Sequence, residues 1–226
     1  EIPGNQIYRE PAGLKVEGDW SNAAFWLVVG ALGGDITCTG LDPDSTQRDK
    51  EIITVLEKMG AKVKRKNTSY RIAGKGVPLH GETVSAAQFP DLVPVMAVAM
   101  TGASGTSTIT DAQRLRIKES DRLATVCDFL TILGTNIRQT KDGLIIDENN
   151  DSTDPSGTAA HCPAPSLCGG TVSSHNDHRI AMAAAVASCR ADGPVIITGA
   201  EAVKKSYPDF FTDFTKLGGK IEILED

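Results

Sequence analysis

The residues able to do chemistry in this 226-residue chain fall in a few polar runs. The densest is Arg114-Leu-Arg116-Ile-Lys118-Glu119-Ser-Asp121-Arg122. Its four cations and two carboxylates carry +2 in a chain of formal net charge −6, so an acidic protein concentrates positive charge in one place. The run opens an amphipathic pattern, which predicts Lys118 and Arg122, four apart, on one helical face near an N-terminus. Free backbone N–H groups and the helix dipole favour anions there. A solvated, salt-bridged face explains the same residues without a ligand. A second run, His175-Asn176-Asp177-His178-Arg179, precedes an Ala-rich stretch. Asp177 can cap that helix, placing His178 and Arg179 in its first turn. His178 reads equally well as a ligand-facing or a hydrogen-bonded structural residue, whereas an unpaired guanidinium at Arg179 would be costly to bury. Asp91, in Phe89-Pro90-Asp91, holds the corresponding place before another apolar stretch, and N-capping accounts for it fully. Lys204 and Lys205 lie in a later polar loop.

Positioning these groups requires a repeated framework. Three apolar stretches, Ala23–Leu32, Leu92–Met100 and Ile180–Ala187, are each followed by a Thr/Ile/Val strand: Asp35–Thr39, Thr106–Thr110 and Pro194–Thr198. Next come amphipathic helices marked by Ile52, Leu56 and Met59, by Leu123, Val126, Leu130 and Leu133, and by Phe210, Phe214 and Leu217. Each ends at a glycine, Gly60, Gly134 or Gly218, and leads into a further strand, Lys62–Lys66, Asn136–Gln139 or Lys220–Leu224. Asp19, Asp91 and Asp177 stand 41, 43 and 41 residues before those glycines. The spacing predicts one α/β domain over 1–226, built of three βαβαββ units at about 14–80, 81–170 and 171–226. The Ala-rich helices would pack centrally with mixed sheets outside. Extra polar residues within 147–170 read as an exposed loop. The last unit stops one strand short, so something else should supply that strand.

Composition narrows the partners. With 40% hydrophobic and 23% charged residues the chain is globular, and no apolar run approaches the roughly 20 residues of a membrane span. The acidic balance argues against nucleic acid. Glu1 in place of Met, with no basic-then-apolar leader, suggests a chain that begins inside a longer gene product. Five scattered cysteines fit a reducing cytoplasm better than a disulfide framework. His161, Cys162 and Cys168 are too few for a zinc site. No phosphate-binding glycine loop occurs in its strand-to-helix setting, and Ser21 has no evident His/Asp partner for hydrolysis.

Taken together, Val-Glu-Gly-Asp19-Trp-Ser21, Leu-Glu-Lys-Met-Gly60-Ala, Phe-Pro-Asp91, Arg-Ile-Lys118-Glu119-Ser-Asp121-Arg122, Asn176-Asp177-His178-Arg179-Ile-Ala-Met and Lys205-Ser-Tyr-Pro208-Asp209-Phe resemble the C-terminal part of the 5-enolpyruvylshikimate-3-phosphate synthases. The likeness runs in order along nearly the whole chain. It implies one lobe of an enolpyruvyl transferase fold, with two such lobes enclosing the active site. It also implies transfer of the enolpyruvyl group of phosphoenolpyruvate to the 5-hydroxyl of shikimate 3-phosphate, without metal or organic cofactor. On that resemblance Asp91 and Glu119 are the candidate acid/base pair. Lys118 touches the shikimate ring substituents, and Arg122, Arg179 and Lys205, with His178 beside them, surround the phosphoenolpyruvate anion. The N-terminal lobe would be a required partner, its leading segment would supply the absent strand, and this chain alone would be inactive. A UDP-N-acetylglucosamine enolpyruvyl transferase lobe and a non-catalytic anion-binding module are the competing readings.

Overall fold

The computed structural model describes residues 1–148 and 167–224. Most of the expected polar loop, with His161 and Cys162, lies outside the described residues. The first stretch comprises α1 (Trp20–Ala31), β1 (Asp35–Cys38), α2 (Ile52–Lys58), β2 (Val63–Lys66) and β3 (Ser69–Ala73). The second comprises β4 (Leu79–His80), β5 (Thr83–Ser85), α3 (Val93–Met100), β6 (Ala103–Ser104), β7 (Ser107–Thr110), α4 (Arg122–Ile132), β8 (Ile137–Gln139) and β9 (Leu144–Ile146). The third comprises β10 (Gly170–Ser173), α5 (His178–Ser188), β11 (Val195–Thr198) and α6 (Phe210–Lys216).

Helices α1, α3 and α5 pack against one another at the centre. Every residue of α3 is buried, and α5 buries all but Arg179 and Ser188; their small Ala side chains permit this close approach. Sheets lie around them in the orders β1-β3-β2, β5-β7-β9-β8 and β10-β11, with β4 paired to β6. Pairing is parallel for β5–β7, β4–β6 and β10–β11 and antiparallel elsewhere. Each amphipathic helix ends as its sequence predicts, with Gly60, Gly134 and Gly218 in the left-handed region.

Two expected strands are absent. Residues 14–17 form none, and Leu14 and Val16 are 65% and 86% exposed. They bury nothing that would offset the entropy of ordering them, so one edge of β1 stays open. Lys220–Leu224 is also not a strand. In the complete sheet, the strand that follows the helix-ending glycine, β8, joins only through β9. Among the described residues the third stretch has no counterpart of β9, so 220–224 meets no such edge.

Among the described cysteines, Cys38, Cys127 and Cys189 are free thiols. Cys168 is disulfide-bonded, a departure from the thiols expected of all five. No helix among the described residues is long and apolar enough to cross a membrane.

Candidate active site

Polar groups from three separate elements converge where α4 and α5 begin. Asp177 caps α5, its Oδ1 accepting from the Arg179 backbone N–H at 2.9 Å. Asp19 caps α1 in the same way, accepting from the backbone N–H groups of Ser21 and Asn22. Asp91 does not follow them. It lies inside a 3-10 turn, Pro90–Leu92, and makes no cap hydrogen bond, because Pro90 opens the turn one residue earlier and leaves the Asp91 carboxylate free to turn outward.

That carboxylate meets cations from three elements. Arg122 Nη1 donates to its Oδ1 at 2.7 Å, Lys118 Nζ lies 3.3 Å from the same oxygen, and Arg179 Nη2 reaches Oδ2 at 3.4 Å. Burial alone would raise the Asp91 carboxyl, but Arg179, Arg122 and Lys118 outweigh it and hold the group below the ordinary carboxylate range.

Lys118 and Arg122 do not share a helical face. A 3-10 turn covers Gln113–Ile117, Lys118 is extended, and α4 starts at Arg122 with Asp121 as its cap, accepting from the Ala124 N–H. Both side chains reach Asp91 nonetheless, because the bend at 118–121 aims Lys118 back toward it. The solvated-face reading suits Arg116, which bonds Asp121 at 2.9 Å and the carbonyls of Thr140 and Lys141. It fails at Arg122, which is 1% exposed.

Arg122 is surrounded by carboxylates. Nε donates to Asp177 Oδ2 at 2.8 Å, Nη2 to Glu119 Oε2 at 2.6 Å and, more weakly, to Asp177 Oδ1 at 3.3 Å, in addition to the Nη1 bond to Asp91. Asp177 is wholly buried. Its burial would raise the carboxyl, yet the bond and charge from Arg122 bring it below the usual range. Asp91 and Glu119 are the exposed partners, their side chains 31% and 44% accessible. They thus sit on opposite terminal nitrogens of one guanidinium, facing the surface.

His178 and Lys205 flank this network without joining it. His178 is 8% exposed, and its Nδ1 has no hydrogen-bond partner in the structure. Burial first, and then the neighbouring Arg179 charge, push its imidazole below the ordinary histidine value. Lys205 ends a 3-10 turn and donates to the carbonyl of Asn176, which ties its turn to the start of α5.

Two features escaped the sequence. Asp177 was legible as a cap but not as the buried partner of Arg122, and Ser120 Oγ also donates to it at 3.0 Å. Ser21 does have a carboxylate partner: its Oγ donates to Asp49, a 9%-exposed residue 28 positions away. Burial raises the Asp49 carboxyl, and it feels the charges of Arg179 and Asp91. No local pattern around Asp49 announces that contact. Among the described residues no group of three or more His, Cys, Asp or Glu could hold a metal.

A family model described as EPSP synthase (3-phosphoshikimate 1-carboxyvinyltransferase) matches residues 1–214. A 3-phosphoshikimate 1-carboxyvinyltransferase of Clostridium kluyveri is 43% identical over 98% of this chain and 48% of its own length. One from Clostridium perfringens is 45% identical over 96% of this chain and 47% of its own. The solved EPSP synthase of Acinetobacter baumannii superposes with a TM-score of 0.78 at 32% identity, over 93% of this chain and 48% of that one. The enolpyruvyl transferase NikO from Streptomyces tendae, at 19% identity and a TM-score of 0.69, shares the fold. The chain therefore spans about half the length of the relatives it matches.

Proposed function

The chain belongs to the EPSP synthase (3-phosphoshikimate 1-carboxyvinyltransferase) family, and from that membership we propose that it forms one lobe of an enzyme transferring the enolpyruvyl group of phosphoenolpyruvate to the 5-hydroxyl of shikimate 3-phosphate. The observation that carries the reading is the meeting of Asp91, Glu119 and Lys118 with Arg122 and Arg179 at one exposed rim. Transfer needs a proton delivered to the methylene carbon while the hydroxyl loses one, and two separately placed carboxylates divide that work. Asp91 takes the hydroxyl proton and Glu119 serves the methylene. Guanidinium and ammonium groups hold two polyanionic substrates side by side and offset their mutual repulsion. Arg122, Arg179 and Lys205 face the phosphoenolpyruvate anion with His178 beside them, and Lys118 faces the shikimate ring substituents.

The second half of the cleft comes from the N-terminal lobe, the partner that also supplies the strand missing beside β11. A cytoplasmic location belongs to the same reading. It suits the thiols of Cys38, Cys127 and Cys189, and the disulfide at Cys168 is the one feature set against it.

The test is phosphate release from phosphoenolpyruvate and shikimate 3-phosphate, using this chain alone and mixed with the separately produced N-terminal half of a relative. The chain alone should give no turnover above background, and the mixture should be active. Asp91→Asn or Glu119→Gln in the mixture should lower kcat by roughly 10²–10⁴-fold. Normal turnover by the chain alone would sink the half-site reading. Turnover with UDP-N-acetylglucosamine in place of shikimate 3-phosphate would replace the acceptor.

A further inference from the structure

The charges around Arg122 are balanced before any ligand arrives. Arg122, Lys118 and Arg179 face Asp91, Glu119 and Asp177. A cleft meant to receive anions therefore has its strongest donor already occupied by its own carboxylates. The occupants differ in kind. Asp177 is wholly buried, anchored to the Arg179 N–H and Ser120 Oγ, and holds Nε. Asp91, half-buried, and Glu119, exposed, hold Nη1 and Nη2, the two nitrogens an incoming anion would approach.

Resting on the functional reading above, we propose that Arg122 is an exchange hub: a substrate anion takes the guanidinium positions held by Asp91 and Glu119 while Asp177 keeps the guanidinium in place, so that binding itself frees both carboxylates for proton transfer. Each of them must carry a proton at some stage of the proposed reaction. The Asp91 carboxyl, held below the ordinary range by Arg179, Arg122 and Lys118, resists protonation, and part of that restraint goes when the anion takes its place on Arg122. Asp91 would then face Lys118 and Arg179 alone, with Asp49 and the anion adding negative charge. Glu119 would face the anion, with His178 and Asp177 as its charged or titratable neighbours on α5. Adding a polyanion to a neutral cluster thus draws in protons, and Asp177 acts as the positioning residue that keeps Arg122 from following the displaced groups.

Calorimetric titration of this chain with phosphoenolpyruvate, in two buffers of different ionisation enthalpy near neutral pH, tests the exchange. Wild type should take up protons on binding. Glu119→Gln, which removes an exposed competitor and leaves Arg122 and Asp177 in place, should bind about tenfold more tightly. The control is Asp121→Asn, which removes the same charge two residues away, keeps the α4 cap and touches no Arg122 nitrogen. Its affinity should stay within about twofold of wild type. The proposal is overturned if Glu119→Gln binds equally or more weakly, if Asp121→Asn tightens binding as much, if no proton is taken up, or if phosphoenolpyruvate does not bind. The functional reading is judged separately, by turnover of the mixed lobes: a mixture that turns over while Glu119→Gln binds no tighter removes the exchange alone.

Discussion

A guanidinium that is 1% exposed has no water to fall back on, so Arg122 depends on Asp177, and Asp177, wholly buried, depends on Arg122. Removing Arg122 leaves Asp177 buried and charged without the cation it is bonded to. Arg122→Met should therefore cost about 3–5 kcal/mol in urea unfolding, far more than loss of a surface pair. The pH dependence carries a sign. Because the folded Asp177 carboxyl lies below its ordinary value of 3.8, its stabilisation is full above that value and is lost as pH falls through the lower folded value. In Arg122→Met the buried carboxyl would instead lie above the ordinary range, and acidification toward pH 4 should raise stability; urea midpoints measured against pH distinguish the two slopes. His178 obeys the opposite charge logic. Its imidazole, held below the ordinary 6.5 by burial and by Arg179, should titrate below that value by NMR. It contributes stability at neutral pH that is lost as pH falls from 6.5 toward the folded value, and His178→Asn should flatten that part of the profile. Asp121 and Glu119 flank Ser120 in sequence and have different partners, Arg116 and Arg122. Residue type and spacing fixed neither pairing, since both depend on the bend between the turn and α4.

The helix caps show how much of an element is local. The cap at Asp177 is readable because capping needs only a carboxylate and the next two or three backbone N–H groups, and Asp19, at the matching place in the first unit, caps likewise. Asp91 does not, because Pro90 starts its turn early and the side chain is drawn to cations 27 or more residues away. The start of α4 is the sharpest instance. An amphipathic period continued back through Lys118 predicts one long helix, whereas Asp121 caps a shorter one, Lys118 is extended and the chain bends over residues 118–120. Asp121→Ala should cost about 1 kcal/mol of stability in urea unfolding through the lost cap, and Asp121→Asn much less. Only the alanine variant should also disturb the placement of Lys118, read as a change in its amine NMR shift.

At the scale of the whole molecule, β1 and β11 each leave an edge unpaired among the described residues. Near β1 a groove of about 500 Å³ is lined by Trp26, Ile36, Tyr207 and Leu217. Ile2, Ile7, Tyr8, Ile223 and Leu224 are exposed. Open edges and exposed apolar residues each invite pairing with other chains, so sedimentation velocity should show concentration-dependent association of the chain alone. Adding the complementary half should suppress it, and a chain that stays monomeric at high concentration would contradict that. The α/β class, the central Ala-rich helices and the glycine-ended amphipathic helices were all legible in the sequence. Each of these follows from composition and period over a few helical turns. The tertiary structure was needed to show that Arg122 is buried among three carboxylates, that the Asp91 carboxylate meets Lys118, Arg122 and Arg179 rather than capping a helix, and that residues 14–17 and 220–224 form no strands. Those outcomes depend on what lies across the core or the sheet: a buried guanidinium takes the carboxylates that reach it in space, and a strand forms only where another backbone offers an edge.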